Sequence, residues 1–157
     1  MKVRDHMTGD VVTVERTANV AEIAGLLARY RITGVPVVDD GLLAGVVTHE
    51  EIMNIFIPHY LSMFDDLAFL DDLGALEAQT MAEIEPSLFL AEDIMVTDPV
   101  TVGPDTSVMK VAALMVNMKI VFVPVVDGSR RVVGVMTRND VSAAFTGVTG
   151  GENGGNA

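Results

Sequence analysis

The segment Gly134-Val135-Met136-Thr137-Arg138-Asn139-Asp140 carries the residues best suited to holding a ligand. An apolar run hands over there to a helix start, where free backbone N–H groups and the helix dipole favour a phosphate. The Thr137 hydroxyl can donate to a phosphate oxygen, and Arg138 can supply a cation. Asp140 offers two acceptor oxygens, enough for both hydroxyls of a ribose 2′,3′-diol. The same spacing has a second reading. Thr137 to Asp140 is spaced like a capping box, and Thr48 to Glu51 fits that motif outright. One side chain cannot fully serve a cap and a ligand at once, so both readings stand at this point.

A second group of candidates lies on strand-like segments. Ile32-Thr33-Gly34-Val35-Pro36 offers an apolar wall, a hydroxyl and a glycine that leaves room for a flat base to approach the backbone. Its counterpart, Ile120-Val121-Phe122-Val123-Pro124, puts valine and phenylalanine where the first has threonine and glycine. Plain core packing is the alternative for Ile32, Val35 and Pro36. His49 occupies the position of Arg138 and could face a phosphate, or simply sit exposed at a helix start. His6, His49 and His59 form no pair with metal-ligand spacing and a third ligand. Asp65-Asp66 and Asp71-Asp72 could bind a hard cation, but a solvated acidic face is the simpler reading, and no metal site is assigned. There is no cysteine nucleophile and no Ser/His/Asp arrangement, so no enzymatic activity is expected.

Composition narrows the partners. The net charge is -12, and no Lys or Arg falls between Ile32 and Met109, a span holding fifteen Asp and Glu. Nucleic acid and anionic membranes are repelled by such a surface, because counterion release needs clustered cations. The N-terminus has no apolar signal region, no stretch reaches the ~18 apolar residues of a membrane span, and a cytoplasmic protein is expected.

An internal repeat organises the chain. Asp5-His6-Met7 matches Asp93-Ile94-Met95, Val12-Thr13-Val14 matches Val100-Thr101-Val102, and Val35-Pro36-Val37-Val38-Asp39 matches Val123-Pro124-Val125-Val126-Asp127, all at an offset of 88. Gly45-Val46-Val47-Thr48 then matches Gly134-Val135-Met136-Thr137 at 89. Each copy reads as a short strand, a helix, a hairpin and a last helix. Asn19 with Glu22, and Ser107, cap the first helices, whose apolar faces are Val20, Ile23, Ala24, Leu27 and Val108, Val111, Ala112, Met115. Pro36, lacking an N–H, should start its strand or lie at an edge. The boundaries fall at 1–57 and 91–146 for the copies, 58–90 for an acidic insert, and 147–157 for a glycine-rich tail expected to be disordered. In the insert, Tyr60, Leu61, Phe64, Leu67, Ala68 and Phe69-Leu70 suggest an amphipathic helix that Gly74 breaks.

These paired motifs resemble the CBS-domain family, whose repeats come in pairs known as Bateman modules. The resemblance covers about 110 of the 157 residues, all but the insert and tail. It implies an α/β (α+β) fold of two β-α-β-β-α repeats packed with pseudo-twofold symmetry, leaving two clefts. It implies a regulatory role with an adenosine compound as ligand (AMP, ADP, ATP or S-adenosylmethionine), no required cofactor, and assembly as a homodimer. It further implies that each cleft joins the strand segment of one repeat to the Thr-x-x-acid loop of the other. One cleft then holds Thr13, Ile32, Thr33, Gly34, Val35, Pro36, Thr137, Arg138 and Asp140. A weaker one holds Ile120, Val121, Pro124, Thr48, His49 and Glu51. An effector protein, not identified by the sequence, must read the module's state. The competing expectation is an assembly protein that binds no nucleotide and docks through the insert's apolar face, Leu61, Phe64, Leu67 and Leu70.

Overall fold

The computed structural model describes residues 1–148; most of the glycine-rich tail, 149–157, lies outside the described residues. The elements are β1 (Val14–Glu15), α1 (Val20–Tyr30), β2 (Gly34–Asp39), β3 (Leu42–Thr48), α2 (His49–Phe56), α3 (Gly74–Glu83), α4 (Ala91–Ile94), α5 (Val108–Met118), β4 (Phe122–Val126), β5 (Val132–Thr137) and α6 (Arg138–Thr146). The first sheet has the order β1-β2-β3, with β1 parallel to β2 and β2 antiparallel to β3. The second is the β4-β5 hairpin, against which Val102 forms a single parallel bridge to Val125. The leading strand expected in each copy is therefore only two residues long in the first and one bridge in the second.

Local chemistry explains these elements. Asn19 Oδ1 accepts from Glu22 N at 2.9 Å, and the Glu22 carboxylate answers from Asn19 N at 3.3 Å, so the expected capping box starts α1. Val20, Ile23 and Leu27 on one side, and Val108, Val111 and Met115 on the other, are buried against their sheets. Asp40 and Gly41 both have positive φ, the signature of a two-residue type I′ turn between β2 and β3. The second hairpin is longer, and Asp127 Oδ1 organises it by accepting from Ser129 N and Arg131 N. The extra residue that shifts the repeat offset lies in this loop. Pro36 sits inside the central strand rather than at its start. Its pairing with β1 begins one residue later, at Val37. In the twin strand the Pro124 carbonyl accepts from Val102 N, so the ring nitrogen faces that same short side and removes no ladder bond.

The insert departs from expectation. His59–Met63 forms a 3₁₀ turn, the next ten residues are not helical, and Gly74 begins α3 rather than ending a helix. Asp66 accepts from Ala68 N and Asp72 from Gly74 N, both at 2.8 Å. Such Asx turns offer the backbone local bonds that compete with a helix.

Each repeat lends its leading segment to the other. Val3 is fully buried among Val102, Val108, Val111, Val123 and Met136 of the second repeat. Ala91 is fully buried among Val14, Ile23, Leu27, Val35 and Val47 of the first. The backbone follows: Val3 N donates to Thr106 O at 2.9 Å, and Ala91 N to Ala18 O at 2.7 Å. Thr8 then bridges Val135, and Val96 bridges Val46. The Lys2 ammonium, 3.2 Å from Asp105 and joined by Arg4, clasps the N-terminal segment and holds the Asp105 carboxyl below its ordinary value. Between the two main cores, Val46, Phe122 and Val135 form a small third one.

Glycine makes these crossings possible. A Cβ on Gly45 would stand 2.6 Å from Val96 O and 2.7 Å from Met95 Sδ, and Gly134 is similarly closed in by Met7 and Thr8. Since the nearest atom at Gly45 is backbone, it cannot step aside. Gly45→Ala should therefore lower unfolding stability by ~1–3 kcal/mol, measured as a drop in the urea midpoint. An unchanged midpoint would show that the crossing is loose.

Candidate functional site

Two clefts lie between the repeats, related by the same pseudo-twofold arrangement. The first, about 220 Å³, is lined by Thr8, Asp10, Val11, Val12, Arg31, Ile32, Thr33, Gly34, Pro36, Phe122, Val135, Thr137, Asn139 and Asp140. The second, about 260 Å³, is lined by Val46, Thr48, Glu50, Glu51, Val96, Asp98, Pro99, Val100, Met118, Lys119, Ile120, Val121 and Phe122. Each joins the strand segment of one repeat to the Thr-x-x-acid loop of the other, with the exchanged segment as a third wall.

Of the residues expected in the first cleft, Ile32, Thr33, Gly34, Pro36, Thr137 and Asp140 line it, and Thr13, Val35 and Arg138 do not. Val35 is fully buried in the first core. Arg138 turns the other way: its Nε donates to Ile120 O at 3.3 Å, and the side chain borders the groove between α5 and α6. The exchanged segment Thr8–Val12 takes the place expected for Thr13. In the second cleft Thr48, Glu51, Ile120 and Val121 are lining residues; His49 is exposed outside it, and Pro124 is buried.

The cation of the first cleft is Arg31, which the sequence reading overlooked. It is the C-cap of α1, with φ 52, and its twin Lys119 caps α5 with φ 55 beside the second cleft. A basic residue directly before each strand segment was the available signal. Asp10, Asn139 and Thr8 were also missed, because they come from the exchanged segment and from a helix position read only as a spacer.

The capping question resolves into a division of labour. Asp140 Oδ2 accepts from Thr137 N at 2.7 Å and from Thr137 Oγ1 at 2.9 Å. The Thr137 hydroxyl proton is thus spent on the cap and does not await a phosphate. Among the described residues no hydrogen bond reaches Asp140 Oδ1 in this cleft-lining side chain. In the second cleft Glu51 Oε2 is held the same way, at 2.6 Å from both Thr48 N and Thr48 Oγ1. Donors left for a ligand in the first cleft are the Thr8 and Thr33 hydroxyls, the Asn139 amide, Arg31 and the first N–H groups of α6.

Gly34 does not hold open a slot for a base. A Cβ there would lie 2.9 Å from Thr48 Cγ2 and 3.5 Å from Phe122 Cγ. The glycine makes room for the strand partner, whose Val47 O would stand 3.1 Å from that Cβ, while its own pseudo-symmetry mate, Phe122, lies at ordinary contact distance. Among the described residues, no group of three or more His, Asp or Glu is placed to hold a metal ion.

The CBS domain family model matches residues 3–57 and 91–147, which between them carry both clefts. The chain belongs to the CBS-domain family. It is a CBS pair, two copies of that domain in one chain. An uncharacterized protein of Methanocaldococcus jannaschii is 27% identical over 154 residues, covering 92% of this chain and 91% of that one. Inosine-5'-monophosphate dehydrogenase of Korarchaeum cryptofilum is 29% identical over 132 residues, 84% of this chain but only 22% of the enzyme. The crystal structure of the MJ0100 CBS pair in complex with 5-methylthioadenosine and S-adenosyl-L-methionine is 28% identical, with a TM-score of 0.69, covering 95% of this chain and 98% of that one. The structure of CBSX2 in complex with AMP shares the fold, with 23% identity, a TM-score of 0.70 and coverage of 94% and 97%. No helix among the described residues is long and apolar enough to cross a membrane.

Because one oxygen of Asp140 caps α6, its two roles can be separated by substitution. Asp140→Ala should cost ~0.5–2 kcal/mol of stability, while Asp140→Asn, which keeps an oxygen for Thr137, should cost clearly less. Chemical denaturation of both variants checks this; equal losses would mean that the carboxylate charge itself, not the cap, is what α6 needs.

Proposed function

We propose that the chain is a non-catalytic sensor that binds an adenosine-type nucleotide in the first cleft and signals by rearranging its repeats or its dimer. The observation that carries this reading is Asp140. Its one unengaged oxygen is an acceptor for a ribose hydroxyl, with Ile32, Pro36 and Phe122 as the apolar wall for the base. Thr8, Thr33, Asn139 and the start of α6 are donors for a phosphate. Kinship with a CBS pair that holds two adenosine derivatives supports the same ligand class.

Charge favours AMP within that class. The first cleft sets one cation, Arg31, against Asp10 and Asp140, on a chain of net charge -12. Each further phosphate adds repulsion with no second cation to offset it. The cleft is also below the ~300–1,000 Å³ typical of sites for drug-sized ligands, which fits a mononucleotide better than a dinucleotide. ADP, ATP and S-adenosylmethionine are the weaker candidates. The expected location is the cytoplasm, where such nucleotides are made and consumed.

A homodimer is the expected assembly. Met53 on α2, Val116 on α5 and Phe145 on α6 are exposed on outer helices, with Val116 at 76%. The effector remains a protein of unassigned identity, and the exposed apolar residues of the insert, Met63, Phe64 and Phe69 among them, are surface it can use.

Calorimetric titration of the full chain with AMP should show saturable binding, and Asp140→Asn should weaken it about tenfold, the equivalent of ~1.4 kcal/mol, while lowering the unliganded melting temperature less than Asp140→Ala does. If AMP, ADP, ATP and S-adenosylmethionine all leave the heat signal and the melting temperature unmoved, the sensor reading is wrong. Sedimentation velocity should give a dimer that Val116→Glu converts to monomer; a wild-type monomer at tens of micromolar would remove that part of the proposal.

A further inference from the structure

Residues 58–90 fall between the two stretches that the CBS domain model matches, and none of them lines either cleft. They nevertheless shape an apolar groove with the end of α2. Two cavities, each about 310 Å³, share Phe56, Ile57, Pro58, Leu76 and Thr80 as lining. Glu77 borders one cavity and Glu83 the other, and both carboxylates are exposed. Helix α3 forms one wall without burying a single one of its ten residues, and Leu73 before it supplies no side-chain cap. A helix so short is marginal in water unless something packs on it. Leu76 and Thr80, four residues apart and only half-buried, lie on its groove side.

The charge around this groove is of one sign. Seven Asp and Glu and no Lys or Arg fall in residues 58–90. All seven are exposed, and among the described residues none of them is in an ion pair. Phe64 and Phe69, both exposed and 5.6 Å apart edge to face, alternate along the chain with the pairs Asp65-Asp66 and Asp71-Asp72. Exposed ring faces among carboxylates attract a cation by both routes. This pattern selects the occupant. Nucleic acid and anionic membranes are repelled. A second copy presenting its own insert sets seven carboxylates against seven. A neutral apolar molecule fills the groove but leaves the charge around it unanswered. A helical segment with apolar anchors at i, i+3, i+4 and i+7, surrounded by lysine or arginine, satisfies both features.

We propose that the groove between the end of α2 and α3 docks a cationic amphipathic helix of a partner protein. Its apolar face enters the two cavities, and its basic residues meet Glu77, Glu83 and the aspartate pairs. The inference rests on reading the insert as the surface an effector uses, not on the nucleotide reading of the first cleft.

Three synthetic peptides test it by fluorescence anisotropy against the full chain without nucleotide. One has an amphipathic leucine and lysine sequence, the second replaces lysine by glutamate, and the third replaces leucine by serine. The leucine-lysine peptide should bind saturably, one per chain, and the other two at least about tenfold more weakly. Glu77→Lys combined with Glu83→Lys should weaken it about tenfold, an effect that shrinks as salt is added. Thr80→Phe, which fills the groove and leaves every charge in place, should weaken it as much at any salt. Thermal melts check that both variants are folded, and bound peptide should slow amide hydrogen exchange within residues 74–83. Equal binding of the serine peptide would overturn the proposal by showing attraction through charge alone, and equal binding of the glutamate peptide by showing apolar contact alone. Slowed exchange in the clefts but not in 74–83 would also overturn it. So would dissociation of a dimer by Thr80→Phe in sedimentation velocity, since a second copy would then be the occupant. If the peptide docks as expected and no adenosine compound binds, this inference stands and the sensor reading falls. If AMP binds and the peptide does not, only this inference falls.

Discussion

The exchange of leading segments between the repeats is the constraint on which the rest of the molecule depends. Val3 completes the second core, and Ala91 completes the first. Neither repeat can close its own core from its own contiguous residues. The two are obligate partners, joined again by Val46, Phe122 and Val135 between them and by the bridge from Leu42 to Arg131 at the hairpin tips. The clefts follow from this exchange. The chain leaving Met7 must cross Gly134 to reach its own first strand, and in crossing it brings Thr8 and Asp10 alongside Thr137 and Asp140. Its twin, leaving Met95, crosses Gly45 and brings Asp98 alongside Thr48 and Glu51. A site between two repeats is here a by-product of how they complete one another.

The pseudo-symmetry holds in the backbone and is broken in the side chains, and packing explains part of the break. Residues near a pseudo-twofold axis meet their own mates. Two phenylalanines at 34 and 122 would collide, since a mere Cβ at 34 already lies 3.5 Å from Phe122 Cγ. One large and one absent side chain is a stable solution at close-packed density. The difference between Gly34 and Phe122 is therefore mainly a matter of packing. The differences at Thr8 and Val96, Thr33 and Val121, and Asn139 and Glu50 have no such origin, because all of them line open clefts.

Much of this was legible in the sequence, and the failures have physical reasons. Repeat spacing identified the element order of each copy because matched turns and matched apolar faces constrain it twice, and the family resemblance supplied the pseudo-twofold packing of the two. The cross-repeat pairing of strand segment and acid loop came from the family resemblance alone. Arg138 was misplaced because a helix turns successive side chains by about 100°, so sequence adjacency to Thr137 says little about sharing its direction. Arg31 was missed because left-handed caps are usually read as glycine positions, and both caps here are basic instead. The insert was misread because its apolar residues were counted while Asp66 and Asp72 were treated as decoration. Their side chains hold the backbone away from a helix. The exchange itself left only a faint trace: two glycines in matched strands, whose purpose depends on a segment distant in sequence.

How occupancy of the first cleft can reach the rest of the surface is limited by what is rigid. The strands are tied to both repeats and cannot part without opening a core. Helix α1 is different. Its last turn delivers Arg31 to the cleft, and its first N–H, from Val20, is bonded to Phe89 O at 2.8 Å, where the insert ends. At 11 residues it spans about 16 Å at 1.5 Å per residue. Any force on Arg31 from the cleft acts on an element whose other end carries the insert's attachment. The second repeat has the same geometry, since Val108 N bonds Met1 O at 3.1 Å. Contiguity of this kind transmits only as much free energy as the ligand's preference for one position of the helix over another.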